Sequence, residues 1–497
     1  MEELLRSNER RKLHIALILY DKDDWMAIPD LAKKLNVSIR ILKYDLHNFN
    51  KVFDDFIIET SHHGVRLRFH QNKSLKSLYK NILDQSTIFT LLETIFFEET
   101  YSTFELADLL YVSPSTLYRM IDHINKRIRK FNFQIQTNPC RFVGDEFAIR
   151  SFFINLFYEK YTRLDWVYKE YEEELDRLVL FIIDVVDFNI DFSLFNIYFL
   201  TTTVNYIRYK KGHLVTLEDS LFNTEELLIL IKERPDELSY FEEKLLISFN
   251  CEMLKELFLP FVFNEFSISQ ERFEKKLKEN KQMADSVKLL SQLLDNLSKK
   301  HLIPLINKDE IIFWLMNSVA TKGYDPREGF ILYDRNQHFI DTVREEFPFF
   351  YTDLRAGIKE FLELRKHPIS EQSINYLMYL TYSDWKGLTL NLRKKHDKIK
   401  ILIVSNRHPL HSNMIKDFIE YELSDHLEIE IFSDLRLSKD ILEELDYHFI
   451  VANFPLPILE TKKCLCIENI PTFQDLAKVR HEIDEIYLQR LDGATAM

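Results

Sequence analysis

LAKKLNVSIRILKYDLHNFN (residues 31–50) and LADLLYVSPSTLYRMIDHIN (residues 106–125) are one pattern written twice, 75 residues apart. Leu31, Ala32, Leu35, Val37, Ser38, Leu42 and Asn50 recur as Leu106, Ala107, Leu110, Val112, Ser113, Leu117 and Asn125, and Leu46 is answered by Ile121. Ala32 and Ala107 are small where two helices must cross closely, while Val37 and Val112 follow the turn and plug the gap between them. Ser38 and Ser113 then stand where a helix N-cap is wanted. Pro114 follows at the first helical position, where its missing N–H costs nothing. The pattern predicts a helix-turn-helix, whose second helix enters the major groove of DNA with its early exposed residues on base edges. In the first unit those residues are Ser38, Arg40, Lys43, Tyr44 and His47; in the second they are Ser115, Thr116, Tyr118, Arg119 and His123.

Each unit is followed by a hairpin signal. Residues 56–60 and 65–69 flank Ser61-His62-His63-Gly64, and residues 133–137 and 141–143 flank Asn138-Pro139-Cys140. A helix-turn-helix with such a hairpin behind it is a winged helix. Arg66 and Arg68 on the first wing, and Lys126, Arg127, Arg129 and Lys130 at the end of the second unit, are the cations available for phosphates.

The net charge of −14 looks wrong for a DNA-binding protein until it is divided along the chain. Residues 1–150 hold 22 Lys+Arg against 20 Asp+Glu, leaving 43 against 59 in the remainder. The acid lies downstream of the repeated motif, and contact with phosphate must come from local faces. Eight glycines in 497 residues is far below the usual ~7%. None forms a G-x-G, so dinucleotide fingerprints and P-loops are absent, as are nucleophile-elbow and His-Glu-x-x-His patterns. Cys140, Cys251, Cys464 and Cys466 are too few and too scattered for a disulfide framework or a zinc site, and Cys464 and Cys466 read as strand residues. No catalytic residue, cofactor or metal is expected. No run reaches the ~18 apolar residues of a membrane span, and the opening MEELLRSNER lacks the order of a signal peptide, so a cytoplasmic protein without a membrane partner is expected.

From about residue 151 to 391 apolar residues recur at helical spacing, for example over 175–186, 194–211, 236–265, 283–301, 310–321, 340–347, 354–364 and 373–383. Two bundles of helices, divided by the charged stretch 267–281, are expected. After residue 391 strands at 400–404, 427–432, 449–452 and 463–467 alternate with helices at 411–423, 439–445 and 472–488, which predicts a small parallel α/β sheet. The chain therefore reads as multidomain and mainly α. Two winged helix-turn-helix domains (1–75 and 76–150), two helical bundles (151–280 and 281–394) and a C-terminal α/β domain with a small parallel sheet (395–497) make up the expected order.

That order resembles the Mga/AtxA-type virulence regulators of Gram-positive bacteria. The residues carrying the likeness are those from Val37 and Val112 onward, Ile207-Arg208-Tyr209-Lys210-Lys211-Gly212 closing a helix, and Lys400-Ile401-Leu402-Ile403-Val404 opening the last sheet. The resemblance implies two phosphotransferase regulation domains, a domain like enzyme IIB of the sugar phosphotransferase system, a homodimer, and phosphotransferase-system proteins as further partners. It also implies phosphoacceptors that this chain lacks. Thr201 stands where the first regulation domain would carry a histidine, Tyr379-Leu380 where a later phosphoacceptor would be sought, and Ser405 where a IIB domain would carry its cysteine. His301, His338 and His367 are the histidines left in the second bundle, and Arg407 with the helix start near His411 leaves the Ser405 loop suited to an anion. The expected function is transcription regulation through duplex DNA. The alternatives are a phosphotransferase-system phosphocarrier, against which Ser405 argues, and an RNA-binding antiterminator, against which residues 31–50 argue.

Overall fold

The computed structural model describes residues 1–22, 24–52, 56–188, 190–321, 323–393, 398–423 and 427–495. The first winged unit is α1 (Ser7–Lys22), α2 (Ile28–Lys34), α3 (Ile39–Val52) and the antiparallel pair β1 (Phe56–Ser61) and β2 (Gly64–Phe69). The second is α4 (Leu75–Gln85), α5 (Thr87–Phe97), α6 (Thr103–Leu109), α7 (Pro114–Ile128), β3 (Phe133–Gln136) and β4 (Arg141–Gly144).

The two helix-turn-helix turns are built identically. Asn36 and Tyr111 adopt left-handed backbone with φ of 52° and 53°. The N–H of Val37 then reaches the carbonyl of Ala32 at 3.0 Å, and that of Val112 reaches Ala107 at 2.9 Å. This is the closing bond of a Schellman cap, which satisfies carbonyls the helix end would otherwise leave bare. Leu31, Leu42, Leu106 and Leu117 are all fully buried, and Ala32 and Ala107 nearly so, as the spacing requires. Gly64 is needed where the first hairpin meets the chain before α2: at φ +122°, a Cβ there would lie 2.0 Å from the Met26 carbonyl oxygen.

The helices that follow are α8 (Glu146–Lys160), α9 (Glu172–Val185), α10 (Phe192–Lys210), α11 (Glu225–Lys232), α12 (Pro235–Leu245), α13 (Cys251–Phe258), α14 (Gln270–Glu279), α15 (Lys281–Lys300), α16 (Lys308–Ala320), α17 (Arg335–Glu346), α18 (Pro348–Leu364), α19 (Glu371–Asp384) and α20 (Leu388–Arg393). Two expectations are corrected here. The single helix expected over 236–265 is two, because Leu246 turns left-handed at φ 52° and Asn250 caps a fresh start by accepting from the Met253 N–H at 2.9 Å. The charged stretch 267–281 contains α14, capped by Ser269 and anchored by buried Phe273.

Beyond them lie β5 (Ile399–Val404), α21 (Pro409–Leu423), β6 (Leu427–Ile431), α22 (Lys439–Glu444), β7 (Phe449–Ala452), β8 (Lys463–Cys466) and α23 (Phe473–Thr495). The sheet is parallel throughout, in the order β6-β5-β7-β8. Ile399, Ile401 and Ile403 of β5 join the core beneath α21 and α23, while Leu402 and Val404 join the core around Leu442 and Tyr447 on the other face. No helix among the described residues is long and apolar enough to cross a membrane.

The chain divides into two compact units, one of residues 1–288, 312–338 and 361–377, the other of 289–311, 339–360 and 378–497. Within the first, a single apolar core joins buried residues from Leu4 to Phe266 with Ala320, Tyr324, Ile331 and Leu332. It includes both winged units and α8 to α13. An ion network lies inside it. Glu146 receives Arg208 through Nε at 2.9 Å and Nη2 at 2.7 Å, and Arg150 Nε at 3.0 Å. Arg150 continues to Glu256 at 2.6 Å, and Arg208 reaches Glu99, which lies between α5 and α6 and also meets His213 at 2.7 Å. Both arginines have no solvent exposure. Burial alone would push the Glu146 carboxyl up, but Arg208 and Arg150 outweigh it and hold the group below its ordinary range.

Two outcomes follow from this geometry. Tyr111 is exposed, so Tyr111→Gly removes left-handed strain without removing a contact and raises stability by about 1 kcal/mol in urea unfolding. Arg208→Leu leaves Glu146 and Glu99 without their shared cation and costs about 3–5 kcal/mol at neutral pH. Because a depressed carboxyl contributes stability that is lost as pH falls through its folded pKa, the gap between this variant and the parent narrows on acidification.

Candidate nucleic-acid interface

In α3 the Ser38 hydroxyl accepts from the Ile41 N–H at 3.3 Å, capping the helix start. Leu42, Leu46 and Phe49 face the core. Asp45, 2% exposed, is gripped by Arg11 of α1 through Nε at 2.7 Å and Nη2 at 3.3 Å, which fixes the rotation of α3 about its axis. The opposite face carries Ser38, Arg40, Lys43, Tyr44 and His47, all exposed. Among the described residues, neither Arg40 nor Lys43 has an ion-pair partner. Ile39 and Ile41, absent from the sequence-based set, are also exposed at this end and offer apolar contact of the kind a thymine methyl accepts.

In α7 the Ser113 hydroxyl accepts from the Thr116 N–H at 3.2 Å and pairs with the Thr116 hydroxyl at 2.8 Å. Ser115, Tyr118 and Arg119 are exposed and Thr116 is half-buried. Arg119 folds back on its own helix, reaching the Ser115 carbonyl and the Thr116 hydroxyl, each at 3.4 Å. His123 Nε2 sits 3.1 Å from the Glu3 carbonyl, and burial lowers its pKa, so this ring faces the N-terminal segment. Lys126 pairs with Asp122, Arg127 with the His123 carbonyl and Arg129 with Gln134. On the first wing, Arg66 binds Glu59 at 2.5 Å with its guanidinium 4.5 Å from the Trp25 ring centroid, and Arg68 lies 3.7 Å from the same carboxylate. Glu59 thereby offsets much of the charge of the wing. Of the two helices, α3 presents the larger set of uncommitted side chains.

The positions where the resemblance implied phosphoacceptors are equally defined. Thr201 on α10 is 1% exposed and its hydroxyl has no hydrogen-bond partner. Ser405, directly after β5, has its hydroxyl 2.8 Å from His411 Nδ1 and accepts from the Arg407 N–H at 3.2 Å, while His411 Nε2 lies 2.6 Å from the Asn469 carbonyl. In the neutral ring with Nε2 donating to that carbonyl, Nδ1 is the acceptor for the Ser405 hydroxyl. His301 is held by Asp353 at 2.9 Å, burial lowers the pKa of His367, and His338 is exposed. Cys464 and Cys466 lie on β8.

A feature of the interface that the motif reading left without a role is the repeated asparagine. Asn50 accepts from the Ile58 N–H at 2.8 Å and donates to the Ile58 carbonyl at 2.9 Å; Asn125 does the same to Ile135, at 2.7 and 2.9 Å. Each amide side chain acts as one more strand residue, tying the end of the recognition helix to the wing. The signal was its recurrence across the 75-residue offset. Asn125 is buried, so Asn125→Ala leaves both backbone groups of Ile135 unpaired. The expected loss is about 2–3 kcal/mol in urea unfolding, with faster amide exchange confined first to β3 and β4.

Comparison with known proteins agrees with this arrangement. Residues 7–63 match the M protein trans-acting positive regulator (MGA) HTH domain, residues 71–157 the Mga helix-turn-helix domain, and residues 171–388 the M protein trans-acting positive regulator (MGA) PRD domain. A trans-acting regulator of Streptococcus pneumoniae is 30% identical over 476 residues, covering 95% of this chain and 97% of its own. The capsule synthesis positive regulator AcpA of Bacillus anthracis is 22% identical over 90% of this chain and 93% of its own, and the anthrax toxin expression trans-acting positive regulator is 21% identical over 96% and 98%. These matches do not favour the phosphocarrier or the RNA-binding antiterminator. With two helix-turn-helix units at its N-terminus and relatives of this kind along its whole length, the chain belongs to the Mga/AtxA-type family of DNA-binding transcriptional regulators.

Proposed function

We propose that this regulator reads promoter DNA in the cytoplasm chiefly through α3, with Ser38, Arg40, Lys43, Tyr44 and His47 in the major groove, and secondarily through Ser115, Thr116, Tyr118 and Arg119 of α7. The observation that carries the proposal is the rotation lock on α3. With Asp45 held by Arg11 on the inner face, Arg40 and Lys43 are free on the outer one. Arg66, Arg68 and His123 then act as supports for the wings and the N-terminal segment, and contribute to phosphate contact through Arg68, the most exposed of them.

In this reading the domains run 1–75, 76–150, 151–280, 281–394 and 395–497, and the protein works as a homodimer, as helix-turn-helix proteins usually do. The two Bacillus anthracis relatives are named positive regulators, and we extend activation to this chain. The last domain, with a serine at the position a IIB domain reserves for cysteine, serves assembly and sensing and does not transfer phosphate. Phosphorylation by phosphotransferase-system proteins could not use Thr201, which has no access to solvent; of the three histidines considered in the second bundle, His338 is the exposed one.

Fluorescence anisotropy with a promoter-length duplex tests the assignment. Affinity falls steeply with salt, Arg40→Ala loses about 1–3 kcal/mol, and Arg119→Ala loses less. Binding that ignores salt, with both variants equal to the parent, refutes it.

A further inference from the structure

A cavity of about 340 Å³ opens between α4, the end of α8 and the start of α10, all within the first compact unit. That volume is in the range of small-molecule sites. Its walls are aromatic: Tyr158, Tyr161, Trp166, Phe192 and Phe199. Phe192 is 76% exposed, an apolar ring left in water at the mouth.

Two polar atoms here are unsatisfied. Trp166 is 4% exposed and its Nε1–H, a donor, has no partner; the Asn196 Oδ1, an acceptor, has none either. A buried donor and a buried acceptor left bare each cost about 1–3 kcal/mol, which a ligand offering the complementary pair would recover. The charge around the cavity is also uneven. Arg163, whose guanidinium carbon is 3.6 Å from the Phe199 ring centroid, is neutralised by Glu172 and Asp176. Lys76 at the rim is not. Its ammonium lies 5.6 Å from the Tyr158 ring centroid, and the Arg335 guanidinium carbon lies 4.4 Å from the same centroid. Neither cation has an ion-pair partner among the described residues. Two cations on one tyrosine, with Glu159 and Asp165 acting on Lys76 only from beyond ion-pair distance, leave a local positive potential at the rim.

We propose that this cavity is a binding site for a small organic anion with a ring body. Its acid group, phosphate or carboxylate, meets Lys76 within the field of Arg335. Its ring lies against the aromatic walls, and a hydroxyl donates to Asn196 Oδ1 while an oxygen accepts from Trp166 Nε1. The occupant touches α4, which packs on α1 and α8, and α10, which ends in the Arg208 network. A ligand there bears on the winged units and the helical bundle together, so the site is an effector site if the DNA-binding reading holds; the binding itself does not depend on that reading.

The test is a titration of the full chain, without DNA, by phenyl phosphate and by benzoate, followed by tryptophan fluorescence. At least one of the two gives a saturable change, phenol binds at least tenfold more weakly, and Lys76→Met weakens the anion at least tenfold. Trp166→Phe abolishes the optical signal; should that buried variant not fold, Lys76→Met, at an exposed position, decides alone. No saturable change with either anion, equal binding of phenol, or undiminished binding to Lys76→Met overturns the proposal. Loss of anion binding with DNA binding intact would sink this site and leave the promoter reading standing, whereas anion binding without DNA binding would do the reverse.

Discussion

Two guanidinium groups with no access to water, Arg150 and Arg208, can be tolerated only if every charge around them is answered. Glu146 answers both, Glu256 takes the remaining edge of Arg150, and Glu99 takes that of Arg208. These carboxylates come from three places in the chain: the start of α8, α13, and the loop between α5 and α6 of the second winged unit. The network cannot close unless all three are in position. Apolar burial brings the same elements together but accepts many arrangements, whereas fork-shaped donors on fixed carboxylates accept few. The bonds of Arg208 and His213 to Glu99 carry the network into the second winged unit.

The logic of the reading helices is the same on a smaller scale. Asp45 and Arg11 fix the rotation of α3, and Asn50 and Asn125 tie each recognition helix to its wing. Each of these side chains is spent on a bond within the chain. They hold still the exposed outer face of each helix, and on α3 that face leaves Arg40 and Lys43 uncommitted. Arg119, which has found partners on its own helix, is less available, and this asymmetry separates α3 from α7 although their sequences follow one template.

Much of this could be read from the residues because the signals were local. Ala32, Val37 and Ser38 against Ala107, Val112 and Ser113 gave the turn, and uninterrupted apolar runs at 400–404 and 449–452 gave parallel strands. What could not be read was long-range or lacked a period. In α8, 11 of 15 residues are buried, so no amphipathic rhythm announces the helix. The break between α12 and α13 begins at a left-handed leucine, Leu246, a residue type with no preference for that conformation. The outward set on α3 was legible from helical spacing, but His123, one position beyond the counterpart of His47, meets the Glu3 carbonyl, a contact between residues 120 positions apart that no local pattern encodes. Arg208 drew notice only as part of a helix-ending stretch; its role appears once Glu146 and Glu99 are placed beside it.

The one apolar core that takes in both winged units has a geometric consequence for the target. Readers strung on a soft tether can settle on recognition sites at variable separations, since the tether absorbs the difference. Here one apolar core spans both winged units, so if both read DNA as proposed the chain behaves as a ruler. Moving one recognition site by a single base pair rotates it by about a tenth of a turn around the duplex axis, and a rigid gauge of this kind registers that rotation as a misfit. Spacing, and with it helical phase, becomes part of the sequence the protein can recognise.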